Sequence, residues 1–275
     1  MIMQYEILYT DLDGTLLNSN KEISEDTMKA IHEMLTRGKK LVLASGRPLH
    51  SILERKNTLG IPNHNVYITA FNGAQLYDCE QDKIMEEYRV PMDTAQQIFD
   101  LAHERNIHIH TFQDKSVISC ADDKELAYYT TYVPSDVIIN QKLSAVMKEE
   151  PFKLLAIDLQ EPETKRLAAF KEEVLSSALG EKISSVFSHA TYLEFFRKDA
   201  GKGNGLIHLC NYLQIPVEAS ISVGDEENDI SMILAAGLGV AMKNAVPALK
   251  EKASYITEND NDHNAIAEII TKFIF

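Results

Sequence analysis

Apolar runs alternate with amphipathic segments at both ends of this chain, and the alternation limits its fold more than any other feature of the sequence. At the start, strand-like and helix-like runs follow one another in the order YEILYT, SEDTMKAIHEMLTRG, KLVLAS, PLHSILERKNTLG and VYITA. From Lys202 the same rhythm returns in KGNGLIHLCNYL, EASISVGD and NDISMILAAG. Strands that alternate with helices are typical of a parallel sheet with helices on both faces. The sequence therefore predicts an α/β fold with a doubly wound, Rossmann-like core.

The middle of the chain has a different rhythm, in which strand-like runs follow one another more closely. Examples are IHIHTFQ, KSVISC, FKLLAID and YLEFF. This composition is typical of an α+β domain. We therefore expect an inserted α+β domain at residues 83–188, and a core made of residues 1–82 and 189–275. His108 and His110 alternate along one inserted strand, which favours a shared, solvated strand face over a zinc site.

The composition excludes several classes of protein. The chain of 275 residues has a formal net charge of −14 and no strong basic patch, so we expect neither nucleic acid nor a membrane as a partner. No apolar run approaches the roughly 20 residues of a membrane span, and the first residues lack the layout of a signal peptide. The three cysteines are widely spaced and form no disulfide framework, which favours a cytoplasmic location. The sequence leaves the oligomeric state open.

Two carboxylates stand one residue apart at the end of the first strand, in YTDLDGT. In an extended backbone, residues i and i+2 point to the same face, so Asp11 and Asp13 would lie close together and repel each other. Such a pair suits phosphoryl transfer. Asp11 would attack phosphorus, and Asp13 would protonate the leaving group and later deprotonate water. The same residues are also typical of an Asp-Gly hairpin turn, and this motif alone does not decide between the two interpretations.

Two further loops carry groups that can hold a phosphate. In ASGRP, the Ser45 hydroxyl and the backbone N–H groups around Gly46 lie between a buried strand and a helix, although a turn serine fits this pattern as well. Arg47 would contact substrate or pair with one of the many acids. In AGKGNG, Lys202 opens a helix, where its ammonium group would neutralise both the phosphate and the attacking carboxylate, or would simply be exposed.

A fourth loop, GDEENDIS, ends a buried strand and opens a helix. Asp225 and Asp229 stand four residues apart, which places them on one face of the incoming helix. Hard oxygen ligands with nothing soft nearby suit Mg²⁺, although an acid-rich helix start also complements the helix dipole. Ligands bind at the carboxyl ends of strands in open parallel sheets. We therefore expect all four loops to converge on one site.

The segments TDLDGTLL, ASGRP, GKG and GDEENDISM occur in this order along the chain. In this respect the chain resembles the haloacid dehalogenase superfamily of phosphohydrolases, which has four such motifs. The insertion after ITAFNGA resembles the α/β cap of the Cof-type branch, whose members mostly dephosphorylate sugar phosphates and other small phosphorylated metabolites. Two positions depart from the pattern: Gly201 stands where a serine is frequent, and DNDHNAIAE stands where an acidic-glycine pair is usual.

The resemblance implies a role for each matching position. Asp11 matches the nucleophile, and Asp13 matches the acid and base. The implied Mg²⁺ ligands are Asp11, the Asp13 carbonyl and Asp225, supported by Asp229. The positions that match residues holding phosphate or substrate are Ser45, Lys202, Asn228 and Asn72.

We therefore expect a Mg²⁺-dependent phosphomonoester hydrolase that acts on a small phosphorylated metabolite, in particular a sugar phosphate, through an aspartyl phosphate. A phosphomutase would use the same nucleophile and return the phosphoryl group to a sugar. A phospho-accepting signalling protein of the receiver type also combines strand-end aspartates, Mg²⁺ and a lysine, but it needs no large cap and no carboxylate placed as Asp13 is. A relative that only binds its ligand is the remaining alternative.

Overall fold

The computed structural model describes residues 5–161 and 163–275. They form two compact units, one with the residues up to Glu87 and those from Gly201 onward, and one that spans Tyr88–Ala200. Both divisions lie later than the expected boundaries after residues 82 and 188, because Lys83–Glu87 pairs in the first unit's sheet and Tyr192–Arg197 pairs in the second unit's sheet. Within the described residues, no helix combines the length and the apolar character that crossing a membrane requires.

The helices and strands follow one another along the chain as follows. The first stretch contains β1 (Ile7–Asp11), α1 (Glu25–Thr36), β2 (Lys40–Ala44), α2 (Leu49–Thr58), β3 (Val66–Ala70), β4 (Gln75–Asp78) and β5 (Lys83–Glu87). The second unit contains α3 (Met92–Glu104), β6 (His108–Gln113), β7 (Ser116–Ser119), α4 (Lys124–Tyr132), β8 (Asp136–Ile139), β9 (Lys153–Ile157), α5 (Arg166–Ser176), β10 (Ile183–His189) and β11 (Tyr192–Arg197). The last stretch contains α6 (Lys202–Leu213), β12 (Ser220–Gly224), α7 (Ile230–Ala235), β13 (Leu238–Ala241), α8 (Pro247–Lys250), β14 (Tyr255–Ile256) and α9 (Ala265–Ile269).

The sheet of the first unit brings the ends of three strands to one edge. Its order is β14-β13-β12-β1-β2-β3-β4-β5, and the neighbours from β14 to β3 are parallel, while β4 and β5 are antiparallel additions. Asp11 lies opposite Ala44 of β2, and Thr10 lies opposite Val223 of β12. The residues that follow β1, β2 and β12 therefore meet at the carboxyl edge of the sheet. The prediction of an α/β fold with a parallel core is confirmed.

Helix α1 shows how the local sequence builds this unit. The Ser24 hydroxyl accepts a hydrogen bond from the Thr27 N–H at 3.2 Å and so caps the first turn. The helix buries residues at three- and four-residue spacing, namely Thr27, Ile31, Met34 and Leu35. These side chains form one apolar face, which packs against β2. The chain turns away at Gly38, whose φ of +78° favours glycine.

The second unit is a mixed sheet with helices on both faces. Its strand order is β10-β11-β9-β6-β7-β8. Among the described residues of this sheet, only the pairing of β7 with β8 is parallel. One face carries the larger core, in which Phe99 of α3 and Phe170 of α5 lie with Phe195 of β11. On the other face, Leu126 and Tyr129 of α4 pack with Val117, Leu155 and Ile157.

His108 and His110 lie on the face that α4 covers, and the expectation of a solvated strand face is wrong. Their exposed fractions are 4% and 0%. Nδ1 of His108 lies 2.9 Å from Oδ2 of Asp123, and Nε2 of His108 lies 2.8 Å from Nδ1 of His110. The alternation along the strand correctly predicts a shared face. The alternation does not predict that α4, a later helix, packs on that face.

Only one arrangement of protons satisfies this pair in its neutral form. The ionised Asp123 accepts a hydrogen bond from Nδ1 of His108, so Nε2 of His108 must accept one from His110. Nε2 of His110 then keeps a lone pair, and it is buried without a partner among the described residues. A further proton would have to appear on that atom. Burial, followed by the charges of His108 and Lys153, holds the pKa of His110 well below its usual range.

We expect the second unit to lose stability as the pH falls below about 6.5, the pKa of histidine in an unfolded chain. Between that pH and the lowered pKa of folded His110, only the unfolded chain binds the proton. The free energy of unfolding should therefore fall by about 1.4 kcal/mol per pH unit over this interval. Urea unfolding of wild type and His110→Leu at several pH values measures the slope.

The difference between the two proteins isolates His110 from the other titrating groups. His110→Leu should flatten the slope, whereas His50→Gln, at an exposed position, should leave it unchanged. An equal slope in wild type and His110→Leu would contradict the prediction.

Candidate active site

The candidate active site lies in the first unit, at the edge where β1, β2 and β12 end. Asp11 is the last residue of β1, and Lys202 is the first residue of α6. The Tyr9 hydroxyl of β1 donates a hydrogen bond to the Lys202 carbonyl at 3.1 Å, which ties the start of this helix to the sheet. Gly201, at a position where the resemblance suggests serine, has a φ of +115° that favours glycine.

The ammonium group of Lys202 bridges two carboxylates. Its Nζ lies 2.5 Å from Oδ1 of Asp11 and 2.5 Å from Oδ1 of Asp229. Lys202 is 1% exposed, so water does not screen these ion pairs. Burial acts to lower the pKa of Lys202, but the charges of Asp11 and Asp229 outweigh it and raise this pKa above its usual range. Lys202 therefore carries a positive charge in the folded protein.

Asp229 organises the loop that follows β12. Its Oδ2 accepts hydrogen bonds from the N–H of Asp225 at 2.9 Å and from the N–H of Glu226 at 3.1 Å. A Cβ atom at Gly224 would lie 2.5 Å from the Asp229 side chain, so this approach requires glycine. Since both Asp229 oxygens bind protein donors, Asp229 supports the loop and Lys202.

Asp225 lies in the same loop and faces the segment that follows β1. Its Oδ1 accepts a hydrogen bond from the Thr15 hydroxyl at 2.6 Å. Burial raises the pKa of Asp225 to about 7, although the Thr15 hydrogen bond acts in the opposite direction. Burial likewise raises the pKa of Asp11 to about 8, and Lys202 offsets only part of this effect. Both carboxylates therefore hold protons more tightly than an exposed aspartate does.

These residues present a donor set that fits a divalent cation. One carboxylate oxygen each from Asp11, Asp225 and Asp229 lies within 4.8 Å of the others, and all three residues are buried. The Lys202 ammonium group pairs with two of these carboxylates, Asp11 and Asp229, so negative charge is in excess when all three are ionised. Hard oxygen donors in this number suit Mg²⁺. Asp11 and Asp225 are the side chains available to hold it, with Asp229 in support.

The Asp13 carboxylate lies between two cations. Nε of Arg47 donates to its Oδ2 at 2.9 Å, and Nζ of Lys21 donates to its Oδ1 at 3.0 Å. Burial acts to raise the pKa of Asp13, but Arg47 and Lys21 outweigh it and hold this pKa below its usual range. Of the two interpretations of Arg47, the structure shows the pairing with an acid.

The loops ASGRP and FNGA form one local structure beside this pair. The Ser45 hydroxyl accepts a hydrogen bond from the Arg47 N–H at 3.2 Å, and the Ser45 carbonyl accepts one from the Asn72 N–H at 3.0 Å. A Cβ atom at Gly46 would lie 3.1 Å from Oδ1 of Asn72, which shows how closely the two loops approach. Asn72 is 1% exposed and has a φ of +56°. Arg47 joins this structure to Asp13.

Hydrogen bonds and ion pairs join most of the predicted site residues to one another, but not all of them. Asn228 is half-buried in the turn Glu227–Asp229, and among the described residues no hydrogen bond joins it to the rest of the site. Two contributing residues were not predicted. Thr15 belongs to TDLDGTLL, so this motif could have been used to predict that it lies beside the acidic loop. Lys21 gives no signal, because its sequence context is that of an ordinary surface lysine.

Comparison with known proteins extends this picture to the whole chain. The family model of the haloacid dehalogenase-like hydrolases matches residues 8–270. YxeH of Bacillus subtilis (strain 168) is 30% identical over 271 residues, which cover 97% of this chain and 98% of that protein. The 5-amino-6-(5-phospho-D-ribitylamino)uracil phosphatase YitU of the same organism is 27% identical over 279 residues, with 97% of each chain covered. A solved haloacid dehalogenase-like hydrolase from Bacteroides thetaiotaomicron is 28% identical, with a TM-score of 0.82 over 99% of this chain and 100% of that chain.

The family match covers both the sheet that carries the candidate site and the inserted unit. It agrees with the order of the four short motifs, so the resemblance predicted from them is confirmed. The prediction that the chain is a hydrolytic enzyme is confirmed with it. This protein belongs to the haloacid dehalogenase-like hydrolases.

Proposed function

We propose that this hydrolase is a Mg²⁺-dependent phosphomonoesterase that acts on small phosphorylated metabolites through an aspartyl phosphate on Asp11. The observation that carries the proposal is the buried Lys202 ammonium group, 2.5 Å from the Asp11 carboxylate. The chain has a net charge of −14, so a phosphate dianion needs local positive charge before it can approach a carboxylate nucleophile. Lys202 supplies that charge beside the nucleophile.

The reaction has two in-line displacements at phosphorus. In the first, an Asp11 oxygen forms a bond to phosphorus while the bond to the leaving oxygen breaks, and Asp13 gives its proton to that oxygen. In the second, Asp13 takes a proton from water, the water oxygen attacks phosphorus, and the Asp11 carboxylate is released. Lys202 stabilises negative charge at the Asp11 oxygen and at the phosphoryl group in both steps.

Mg²⁺ would be held by Asp11 and Asp225, with the Asp13 carbonyl as a further ligand. When bound, the cation offsets the charge of the carboxylates and of the phosphate. In this proposal, Ser45 and the backbone around Gly46 bind phosphate oxygens together with Lys202. Asn72 and Asn228 bind the substrate or its phosphate.

Asp13 has to lose and gain a proton in turn, and its partners explain how. While Arg47 and Lys21 pair with it, its lowered pKa keeps it ionised, which suits the base of the second step. A substrate phosphate competes with Asp13 for the guanidinium group of Arg47. Loss of that pairing raises the affinity of Asp13 for a proton, which suits the acid of the first step. Arg47 therefore contributes both to substrate binding and to the protonation of Asp13.

The substrate class rests on chemistry shared with a relative. YitU is named for a phosphorylated ribitylamino compound, a phosphate monoester of a sugar-alcohol chain. We infer that this chain takes a phosphate monoester of similar size, and sugar phosphates remain the first class to test. Release of inorganic phosphate without a sugar bisphosphate activator would distinguish this hydrolase from a phosphomutase.

Asp11→Asn should abolish turnover and leave the fold intact. The neutral amide is a poor nucleophile, so we expect kcat for p-nitrophenyl phosphate to fall by at least ~10³-fold. Urea unfolding checks that the variant remains folded. Asp26→Asn, on the exposed side of α1, is the matched control and should keep full activity. A variant at Asp11 with a tenth of wild-type activity would refute the assigned nucleophile.

Removal of divalent cations with EDTA should stop phosphate release, and added Mg²⁺ should restore it. Asp225→Asn should raise the Mg²⁺ concentration for half-maximal rate by about tenfold or more, because it replaces a charged oxygen ligand by an amide. Initial rates over a Mg²⁺ titration measure both effects. Hydrolysis that continues at the wild-type rate in EDTA would contradict the proposed cation.

Without divalent cations, the two carboxyls should lower the stability of the protein as the pH rises from about 6.5 to about 8, the upper part of the interval between the pKa of an unfolded aspartate and the folded pKa values. Folded Asp11 and Asp225 keep protons up to pKa values of about 8 and about 7, while the unfolded chain has already released them. Since the folded state then binds more protons, the free energy of unfolding falls as the pH rises. Mg²⁺ favours the ionised carboxylates and should flatten this dependence.

Thermal unfolding at several pH values, with EDTA and with Mg²⁺, tests this pH dependence. Asp225→Asn removes one of the two titrating groups and should reduce the slope measured in EDTA. A Tm in EDTA that rises over the same pH interval would be incompatible with protonated carboxyls in this site.

A further inference from the structure

The loop that directly follows Asp13 is held by residues from the last part of the chain. We call this loop, residues 14–22, the Asp13 loop. Its Gly14 carbonyl accepts a hydrogen bond from Nδ2 of Asn244 at 2.8 Å, and its Leu17 carbonyl accepts one from Nδ2 of Asn261 at 3.0 Å. The Asn261 N–H also donates to Oδ1 of Asn244 at 3.3 Å. The two asparagines therefore bind the loop and each other.

Asp262 makes a third and stronger contact with the Asp13 loop. Its Oδ1 accepts the N–H of Ser19 and its Oδ2 accepts the Ser19 hydroxyl, both at 2.7 Å. Two charge-assisted bonds from one carboxylate to one residue fix the orientation of that residue as well as its position. We call Asn244, Asn261 and Asp262 the clamp.

A tight turn connects Ser19 to the Asp13 carboxylate. Oδ1 of Asn18 accepts the Asn20 N–H at 3.0 Å, and the Asn18 carbonyl accepts the Lys21 N–H at 2.9 Å. Lys21 has a φ of +62°, and its Nζ lies 3.0 Å from Oδ1 of Asp13. Because the turn is short and internally bonded, movement of Ser19 also moves the backbone from which Lys21 reaches Asp13.

We propose that the clamp is a positioning device for Asp13 and that Asp262 is its principal residue. Asp262 acts through Ser19 and Lys21, and the clamp contacts described above end on the loop and not on the Asp13 carboxylate. The inference rests on the proposed function, in which Asp13 transfers the proton of the leaving group. The proposal assigns a role to Asn261 and Asp262 of DNDHNAIAE, the segment in which the sequence departs from the pattern of its family.

The proposal predicts a loss that depends on the leaving group. A poor leaving group such as an alkyl alcohol requires the proton of Asp13, whereas p-nitrophenolate leaves without one. Asp262→Ala should therefore lower kcat/KM for an alkyl phosphate by about tenfold, a part of the full acid contribution. It should change kcat/KM for p-nitrophenyl phosphate by less than about twofold, because kcat/KM reports the departure of the leaving group and not the later hydrolysis of the aspartyl phosphate, in which Asp13 acts as the base for both esters. Ser19 and Asp262 are exposed, so the variant leaves no buried polar group unpaired and is expected to fold.

Two further variants separate positioning from general weakening of the structure. Asp262→Asn keeps an oxygen for the Ser19 N–H and should recover most of the alkyl phosphate activity. Asn259→Ala is the matched control, because Asn259 directly precedes the segment DNDHNAIAE, donates to Glu268 at 2.9 Å and lies outside the clamp. It should behave as wild type with both esters. An equal loss of kcat/KM with both esters in Asp262→Ala, or a loss of the same size in Asn259→Ala, would overturn the proposal.

Amide hydrogen exchange in the protein without substrate measures whether the clamp stabilises the Asp13 loop, independently of turnover. Asp262→Ala should accelerate exchange across residues 17–22, and Asn259→Ala should not. Unchanged exchange in Asp262→Ala would overturn the clamp even in an active enzyme. Absence of hydrolysis of both esters by wild type would instead refute the proposed function, and the exchange measurement would still decide whether Asp262 holds the loop.

Discussion

The buried ammonium group of Lys202 is the interaction on which the candidate site depends. Burying a charge costs several kcal/mol unless close partners offset it, and Lys202 is 1% exposed. The Asp11 and Asp229 oxygens, each 2.5 Å away, provide that compensation. The same contacts join the start of α6 to β1 and to the loop after β12. One ion triad therefore fixes the assembly of three chain segments and the charge balance of the site.

Asp11 and Asp13 are neighbours in sequence, yet their environments push their protonation in opposite directions. Burial raises the pKa of Asp11 to about 8, whereas Arg47 and Lys21 hold the pKa of Asp13 below its usual range. Contrasting environments of this kind assign different tasks to similar groups. In the proposed reaction, a bound cation and Lys202 would favour the ionised form of Asp11 for attack on phosphorus, and exchange of Arg47 between Asp13 and phosphate would govern the protonation of Asp13. The repulsion expected from the sequence is thus resolved by separate sets of partners.

The sequence predicts the parts of this structure that local patterns determine. Alternating apolar runs predict the parallel sheet, and the expected convergence of the loops at its carboxyl edge predicts that Asp11, Asp225 and Lys202 lie in one region. The second unit was harder to predict. Helix α4 buries His108 and His110, and the periodicity of β6 does not reveal that a helix packs on this face. The role of Lys21 was equally hidden, since it depends on a left-handed turn at φ +62° and not on a motif. Long-range contacts of single side chains carry no local signal.

The positions of the two carboxylates explain why one needs support from outside the sheet. Asp11 ends a buried strand whose backbone is bonded on both sides, so the sheet itself fixes its position. Asp13 lies beyond the strand, where Gly14 turns the chain at a φ of +81° and the ladder of hydrogen bonds has ended. Arg47 and Lys21 hold its carboxylate directly. Asn244, Asn261 and Asp262 bind the loop from which Lys21 reaches it. In the proposed function, a proton-transferring carboxylate just past the end of a strand is free of the sheet, and its position depends on contacts from distant parts of the chain.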